Sequence, residues 1–225
     1  MRGRVFWTLF IVLAALGLAF GLRLSMCCAP EARPTVASHG TGPVTTASER
    51  PPQWAVPVER TGLPNLHRIS DGLYRGAQPM AEGFRELRKM GVRTVVNLRS
   101  FHSDRDEAGE AGLAYEHSAM KAWHPEDEDV VRFLQIVTDP ARTPVFVHCQ
   151  HGADRTGIMC AICRMAVQGW SGDEAVEEMR EGGFGHHRIW ANLRHYVREL
   201  DLEEIKRRAG LAEENSGPES GVPHS

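Results

Sequence analysis

The segment HCQHGADRTG at residues 148–157 most constrains how this 225-residue chain can fold. It follows a short apolar stretch at residues 145–147, typical of a buried strand, and leads into a helical pattern at residues 156–168. A loop that joins the carboxyl end of a strand to the start of a helix presents several backbone N–H groups and the positive end of the helix dipole. The segment is therefore predicted to bind an oxyanion.

Two residues of this loop are expected to carry its chemistry. Helix N-termini and neighbouring cations lower a cysteine pKa from about 8.5 to roughly 3.5–7.5, so Cys149 at the mouth of the loop is predicted to be a nucleophile at neutral pH. The planar guanidinium of Arg155 can hold two oxygens of one phosphate. Gly152 permits a tight turn, and the hydroxyl of Thr156 can donate to the thiolate.

The rest of the chain alternates between strand and helix patterns. The β-branched stretch VRTVVNL at residues 92–98 is typical of a buried strand. Further strands are predicted at residues 73–75 and 113–117, and further helices at residues 81–90, from 125 onward, at 171–181 and at 189–208. Strands separated by helices predict an α/β fold with a central, mainly parallel sheet flanked by helices.

Composition limits the partners of the chain. The formal charge of -3, from 26 Lys and Arg against 29 Asp and Glu, argues against a nucleic-acid-binding protein that relies on a basic surface. The alternating patterns occupy residues 61–211, which is the size of one ordinary domain. The sequence gives no indication of the oligomeric state.

The N-terminal region has a different character. Residues 5–22 form an apolar run in which Thr8 is the only clearly polar side chain, close to the shortest length that spans a bilayer. We expect residues 1–28 to be a transmembrane anchor or, if cleaved, a signal segment. Arg2 and Arg4 outweigh Arg23, which predicts that the folded unit lies outside the cytoplasm, in the periplasm if the source is a bacterium. Residues 29–60 are predicted to be a flexible linker and residues 212–225 a disordered acidic tail.

The loop and its flanks resemble the cysteine-based protein tyrosine phosphatase superfamily. The resemblance rests on a C-x5-R signature with His148 before the cysteine and Thr156 after the arginine. The motif LYRGAQP at residues 73–79 and the strand regions 91–99 and 143–147 are similar to the compact dual-specificity phosphatases of bacteria and of the atypical plant and fungal group. The resemblance covers residues 72–197. It implies a two-step hydrolysis in which Cys149 forms a phosphocysteine, with no metal or cofactor.

The family resemblance implies a phosphorylated protein as substrate, bound through the loop. The substrate-binding residues are then expected to be His148, Gln150, His151, Gly152, Ala153, Asp154 and Arg155. An Asp before the arginine resembles family members that act on phosphoinositides or inositol phosphates, because a carboxylate there can accept hydrogen bonds from ring hydroxyls. Its alternative role is an ion pair that orients Arg155. Two further alternatives are a non-catalytic phosphate-binding module and an enzyme of sulfur transfer or arsenate reduction.

The sequence leaves open which residue donates a proton to the leaving oxygen. The superfamily supplies an Asp from a separate loop, which should lie near residues 120–127. Asp127 is the first candidate and Glu126 the second, with pairing to a helix N-terminus as the alternative role of both. His124 lies where many relatives carry the acid. Asp104 and Asp154 are the remaining candidates.

Histidines and cysteines elsewhere are expected to be structural. His186, His187 and His195 form the densest histidine group, but the adjacent pair on the Gly-rich loop has no Asp, Glu or Cys at zinc-site spacing. His186 and His187 are therefore predicted to be solvated loop residues. Cys160 and Cys163 have redox-pair spacing, but they fall inside a predicted helix. They are expected to pack in the core.

Overall fold

The computed structural model describes residues 50–121 and 124–212. A six-stranded sheet with the order β1-β2-β3-β6-β4-β5 lies at its centre. The strands are β1 (Val56–Pro57), β2 (His67–Ser70), β3 (Leu73–Gly76), β4 (Thr94–Asn97), β5 (Ala114–His117) and β6 (Val145–His148). The strands from β3 to β5 pair in parallel, whereas β1 and β2 form an antiparallel edge. This confirms the predicted α/β fold with a mainly parallel sheet.

Helices cover both faces of the sheet. They are α1 (Ala81–Lys89), α2 (Arg105–Glu110), α3 (Asp127–Thr138), α4 (Asp154–Gln168), α5 (Gly172–Glu181), α6 (Ala191–Glu199) and α7 (Leu202–Ala209). Alternate residues of the central strands face opposite layers: Val95 and Phe146 pack with α1 and α2, whereas Val96 and Val147 pack with the larger group α3 to α7. Among these helices, none has the length and hydropathy that a bilayer span needs.

The central strand β6 and the helix α4 position the loop. All four residues of β6 are buried, and α4 is buried along most of its length. Residues 149–153 therefore connect two elements that are both buried in the core. Since α4 begins at Asp154, the loop lies at a helix N-terminus, as the sequence predicted.

The helix predicted at residues 189–208 is wrong, because the structure has two helices there. α6 ends at Glu199, and the side chain of Asp201 accepts a hydrogen bond from the Glu204 amide, which starts α7. An aspartate at this position stabilises a new helix start more than it stabilises the middle of a long helix. The strands β1 and β2 and the helix α2 were not predicted.

The folded unit begins earlier than the predicted boundary at residue 61. Ala55 is buried and its amide donates to Glu178 on α5 at 2.6 Å, while β1 pairs with β2. Residues 50–60 are therefore part of the domain rather than of the linker. The predicted anchor, the rest of the linker at residues 29–49 and residues 213–225 of the predicted tail lie outside the described residues.

Candidate active site

Cys149 lies at the base of a cleft of about 560 Å³, and only 3% of the residue is exposed. It directly follows β6, so the strand fixes the position of its Cα. The cleft is lined by Arg99, Ser100, Phe101, Cys149, Gln150, His151, Asp154, Arg155, His187, Ile189 and Trp190. Five of the predicted loop residues thus meet in one cleft: Cys149, Gln150, His151, Asp154 and Arg155.

Several groups oppose the effect of burial on the Cys149 thiol. Burial alone raises the pKa of Cys149, but the hydroxyl and amide of Thr156, the charge of Arg155 and the amide of His151 outweigh it. The net pKa lies below the ordinary value of a thiol. The Thr156 side chain is completely buried, and its hydroxyl has no other hydrogen-bond partner among the described residues. The contacts of the loop with Cys149 therefore favour the thiolate form of this side chain.

Arg155 is half-buried at the side of the cleft. Its Nη1 donates to the Leu98 carbonyl at 3.2 Å and, at a longer 3.5 Å, to the Met120 carbonyl. These two contacts fix the guanidinium plane on one side, while its other N–H groups have no partner among the described residues. Such a guanidinium can bind an oxyanion in the cleft without first breaking an ion pair.

A second arginine, Arg75, stabilises the turn of the loop, a role that the sequence did not predict. Arg75 on β3 is 1% exposed, and its Nη2 donates to the Gly152 carbonyl at 2.7 Å. Its guanidinium also stacks on the Phe184 ring at 3.6 Å. Gly152 has φ +69°, and a Cβ there would clash with the Gly76 carbonyl, so only glycine fits this turn. Ala153 completes the turn and is buried.

His148 points away from the cleft. It is completely buried, and its Nε2 lies 3.2 Å from Asp104 Oδ2, while Asp104 also accepts from Gln78 and Asn97 at 2.6 Å. Burial raises the pKa of Asp104, but the contacts with His148 and Gln78 outweigh it and lower the pKa below its usual value. His148 therefore supports the loop rather than touching substrate. Asp104 is a buried, ionised carboxylate rather than a proton donor.

Asp154 binds two histidines and not Arg155. Its Oδ1 accepts from the amide of His187 and lies 3.0 Å from His186 Nδ1, while its Oδ2 lies 2.7 Å from His187 Nδ1. Burial raises the pKa of Asp154, but these contacts outweigh it and lower the pKa to about 2. Among the described residues it forms no ion pair with Arg155. The predicted role in orienting Arg155 is therefore wrong, and a group with this pKa does not donate a proton at neutral pH.

The prediction that His186 is a solvated loop residue is also wrong. Its side chain is 2% exposed, and its Nε2 accepts from Arg194 Nη1 at 3.1 Å. His187 is half exposed and lines the cleft, and its ring centroid lies 5.7 Å from that of His151. One feature of the sequence indicates these contacts: Asp154 places a carboxylate at the start of α4, and a buried carboxylate needs hydrogen-bond donors.

The predicted acid loop contributes no described carboxylate to the cleft. Asp127, the first candidate, lies in the first turn of α3 and accepts from Tyr196 OH at 2.7 Å, with Arg208 Nη1 at 3.9 Å. These contacts fit its alternative role at a helix N-terminus. Glu126 and His124 are exposed, and neither lines the cleft.

Cys160 and Cys163 are buried in α4, as predicted. Burial raises the pKa of Cys160 to about 11 and the pKa of Cys163 to about 12. Of the described cysteines, Cys149 is thus the one with thiolate character.

Comparisons with known proteins agree with this geometry. The family described as "DSP-PTPase phosphatase fused to NAD+ Kinase" matches residues 60–192. The dual specificity protein phosphatase TpbA of Pseudomonas aeruginosa strain UCBPP-PA14 is 37% identical over 164 residues, which cover 72% of this chain and 73% of TpbA. The crystal structure of P. aeruginosa TpbA matches with a TM-score of 0.63 and 35% identity, over 72% of this chain and 98% of that one.

A more distant structure shares the fold. The catalytic core of the PP-IP phosphatase SIW14 from S. cerevisiae matches with a TM-score of 0.59 and 24% identity, over 66% of this chain and 93% of that one. Together with the thiolate-stabilising C-x5-R loop, the matching family and the relative at 37% identity establish the class. The chain belongs to the compact dual-specificity phosphatases, cysteine-dependent enzymes of the protein tyrosine phosphatase superfamily.

Proposed function

We propose that Cys149 is the nucleophile and Arg155 the phosphate-binding residue of this phosphatase. The observation that carries the assignment is the buried Cys149 thiol, whose pKa is held below its ordinary value at the N-terminus of α4. The thiolate attacks phosphorus and forms a P–S bond as the P–O bond to the leaving group breaks. Arg155 and the backbone amides of residues 150–154 bind the phosphoryl oxygens, and Thr156 stabilises the thiolate when water later displaces it.

We propose phosphorylated proteins, with phosphotyrosine the preferred residue, as the substrate class. The edge of the cleft carries two exposed apolar side chains, with Phe101 99% and Ile189 80% exposed, and Trp190 beside them. Exposed apolar groups around a recessed phosphate site suit the flat ring of a phosphotyrosine. A structure of TpbA in complex with pTyr supports the same class.

A second candidate is an inositol phosphate. The inositol diphosphatase DSP5 of Arabidopsis thaliana is 26% identical over 52% of this chain. However, both oxygens of Asp154 are engaged by His186 and His187, so its carboxylate is not free to bind ring hydroxyls. Inositol phosphates are therefore a less favoured substrate class than phosphotyrosine.

Residues 5–22 are proposed to attach the enzyme to a membrane, with the phosphatase domain outside the cytoplasm. The length and hydropathy of this run and the arginines before it support the proposal. Fractionation of cells expressing the full chain, followed by protease treatment of intact spheroplasts, tests it. A soluble protein, or one protected from external protease, would contradict it.

The activity is tested with Cys149→Ser on a panel of phosphotyrosine, phosphoserine and phosphothreonine peptides and a diphosphoinositol polyphosphate. We expect the native enzyme to favour the phosphotyrosine peptide, and the variant to lose all turnover and the covalent phosphoenzyme. Cys163→Ala, which removes a buried thiol with a raised pKa, is the matched control and should keep activity. Turnover by Cys149→Ser would refute the mechanism, and preference for the inositol substrate would reverse the ranking.

A further inference from the structure

The phosphocysteine mechanism needs a group that gives a proton to the leaving oxygen. Of the described residues that line the cleft, Asp154 is the only carboxylate, and it is ionised with both oxygens engaged. The described candidates from the predicted acid loop do not line the cleft. Two histidines, His151 and His187, also line the cleft, and an imidazole side chain can both give and accept a proton.

Hydrogen bonding separates these two histidines. Because the Asp154 carboxylate is an acceptor only, the 2.7 Å contact requires a proton on His187 Nδ1. His187 Nε2 has no hydrogen-bond partner among the described residues, and the ring is half exposed at the cleft. No described carboxylate pairs with the ring of His151. A carboxylate on one ring nitrogen orients the imidazole and stabilises the charge it gains when the other nitrogen takes up a proton.

His186 explains why Asp154 can hold this geometry. It lies 3.0 Å from the second carboxylate oxygen, while Arg194 donates to its other ring nitrogen. Because its side chain is buried and does not line the cleft, His186 cannot deliver a proton there. It acts instead as a positioning residue that fixes the carboxylate facing His187.

We propose that His187, oriented by Asp154, is the general acid and base of this enzyme; this rests on the proposed phosphocysteine mechanism. In the first step Cys149 Sγ bonds to phosphorus, the P–O bond breaks, and the leaving oxygen takes the proton from His187 Nε2. In the second step water attacks phosphorus and gives a proton to the same nitrogen. The P–S bond then breaks, which releases inorganic phosphate and restores the Cys149 thiolate and the His187 imidazolium.

The decisive variant is His187→Asn. Its side-chain amide can keep the hydrogen bond to Asp154 but has no proton to deliver at the position of Nε2. We measure kcat/KM, which reports formation of the phosphocysteine, for aryl phosphates whose leaving phenols span a range of pKa values. A poor leaving group such as phenolate should lose about 100-fold or more and p-nitrophenolate less than about tenfold, since general acid catalysis is typically worth 10²–10⁴.

Two further variants complete the test. His195→Ala on α6, whose side chain is exposed, is the matched histidine control and should leave the leaving-group dependence unchanged. Asp154→Asn should steepen this dependence less than His187→Asn, because it misorients the imidazole without removing it. An equal loss for every leaving group in His187→Asn, or no loss with phenyl phosphate, would overturn the proposal.

The phosphoenzyme distinguishes this proposal from the proposed function. Rapid denaturation of His187→Asn in alkaline detergent, after mixing with radiolabelled p-nitrophenyl phosphate, should still trap label on Cys149, because the nucleophile is intact. If Cys149→Ser were active, the phosphocysteine mechanism would fail whatever His187 does. If label is trapped but the leaving-group dependence is that of the native enzyme, only the role of His187 is wrong.

Discussion

Arg75 Nη2 donates a 2.7 Å hydrogen bond to the carbonyl of Gly152, across 77 positions of sequence, and both groups are buried. The bond joins β3 to the turn of the C-x5-R loop. It places a positive charge beneath the loop, in electrostatic contact with Cys149. The shape of the loop and the acidity of its thiol therefore both depend on a side chain outside the C-x5-R signature.

We expect Arg75→Met to destabilise the fold and to raise the pKa of Cys149. The Gly152 carbonyl would remain buried without a donor, which costs about 1–3 kcal/mol. Urea unfolding measures the stability, and the pH dependence of Cys149 alkylation measures the pKa. Arg68→Met on β2, which removes an exposed pair with Asp71, is the control and should change stability by less than about 0.5 kcal/mol. Equal effects of the two variants would contradict this role.

Thr156→Val should move the acidic limb of kcat/KM to higher pH. Burial raises the pKa of Cys149 and the Thr156 hydroxyl helps to lower it, so loss of the hydroxyl raises the pKa. The thiolate fraction then falls at mildly acidic pH and is unchanged at alkaline pH. Alkylation rates across the pH range measure this. Thr138→Val on α3, whose hydroxyl bonds to the Leu134 carbonyl, should leave the profile as it is.

In Asp154→Asn, the free energy of unfolding should fall less steeply than in the native enzyme as the pH is lowered towards 2. The folded-state pKa of Asp154 is lowered from 3.8 to about 2, so its contribution is full above pH 4 and is lost as the pH falls towards 2. A shift of this size corresponds to about 2 kcal/mol. Urea midpoints measured at several pH values test it. Asp71→Asn, at a fully exposed carboxylate, should follow the native curve.

Phe101→Ala should weaken binding of phosphotyrosine peptides more than that of phosphoserine peptides. Loss of one exposed aromatic contact is worth about 1 kcal/mol, or roughly a fivefold rise in KM. Steady-state kinetics on matched peptides measure the difference. Val167→Ala, an exposed apolar position on α4 that does not line the cleft, should affect neither substrate. Equal changes for both peptides would argue against stacking on Phe101.

Local sequence predicted much of this molecule. Strand β6, the loop and α4 follow one another without interruption, so one stretch of chain specifies both the proposed anion site and the proposed nucleophile. The start of α5 was equally readable, because Ser171 and Glu174 form a capping box within four residues. The core positions of these elements follow from their hydrophobic periodicity.

Long-range polar contacts were not predictable. His187 binds Asp154 from 33 positions away, and Glu178 holds the Ala55 amide from 123 positions away. No periodicity encodes such pairs, because they depend on how the elements pack. For the same reason Asp127 was a reasonable catalytic candidate as a carboxylate near the predicted acid loop, and only the folded structure revealed its contact with Tyr196 on α6.

The turn at Gly152 rests directly on the backbone of β3, because a Cβ at Gly152 would clash with the Gly76 carbonyl. A Cβ at Gly76 would instead meet the ring of Phe146 on β6. Neither position beneath the cleft can therefore gain a side chain without displacing a buried neighbour. Changes of substrate should therefore arise in the walls of the cleft, at Phe101, Ile189 or Trp190, while the floor tolerates almost no variation.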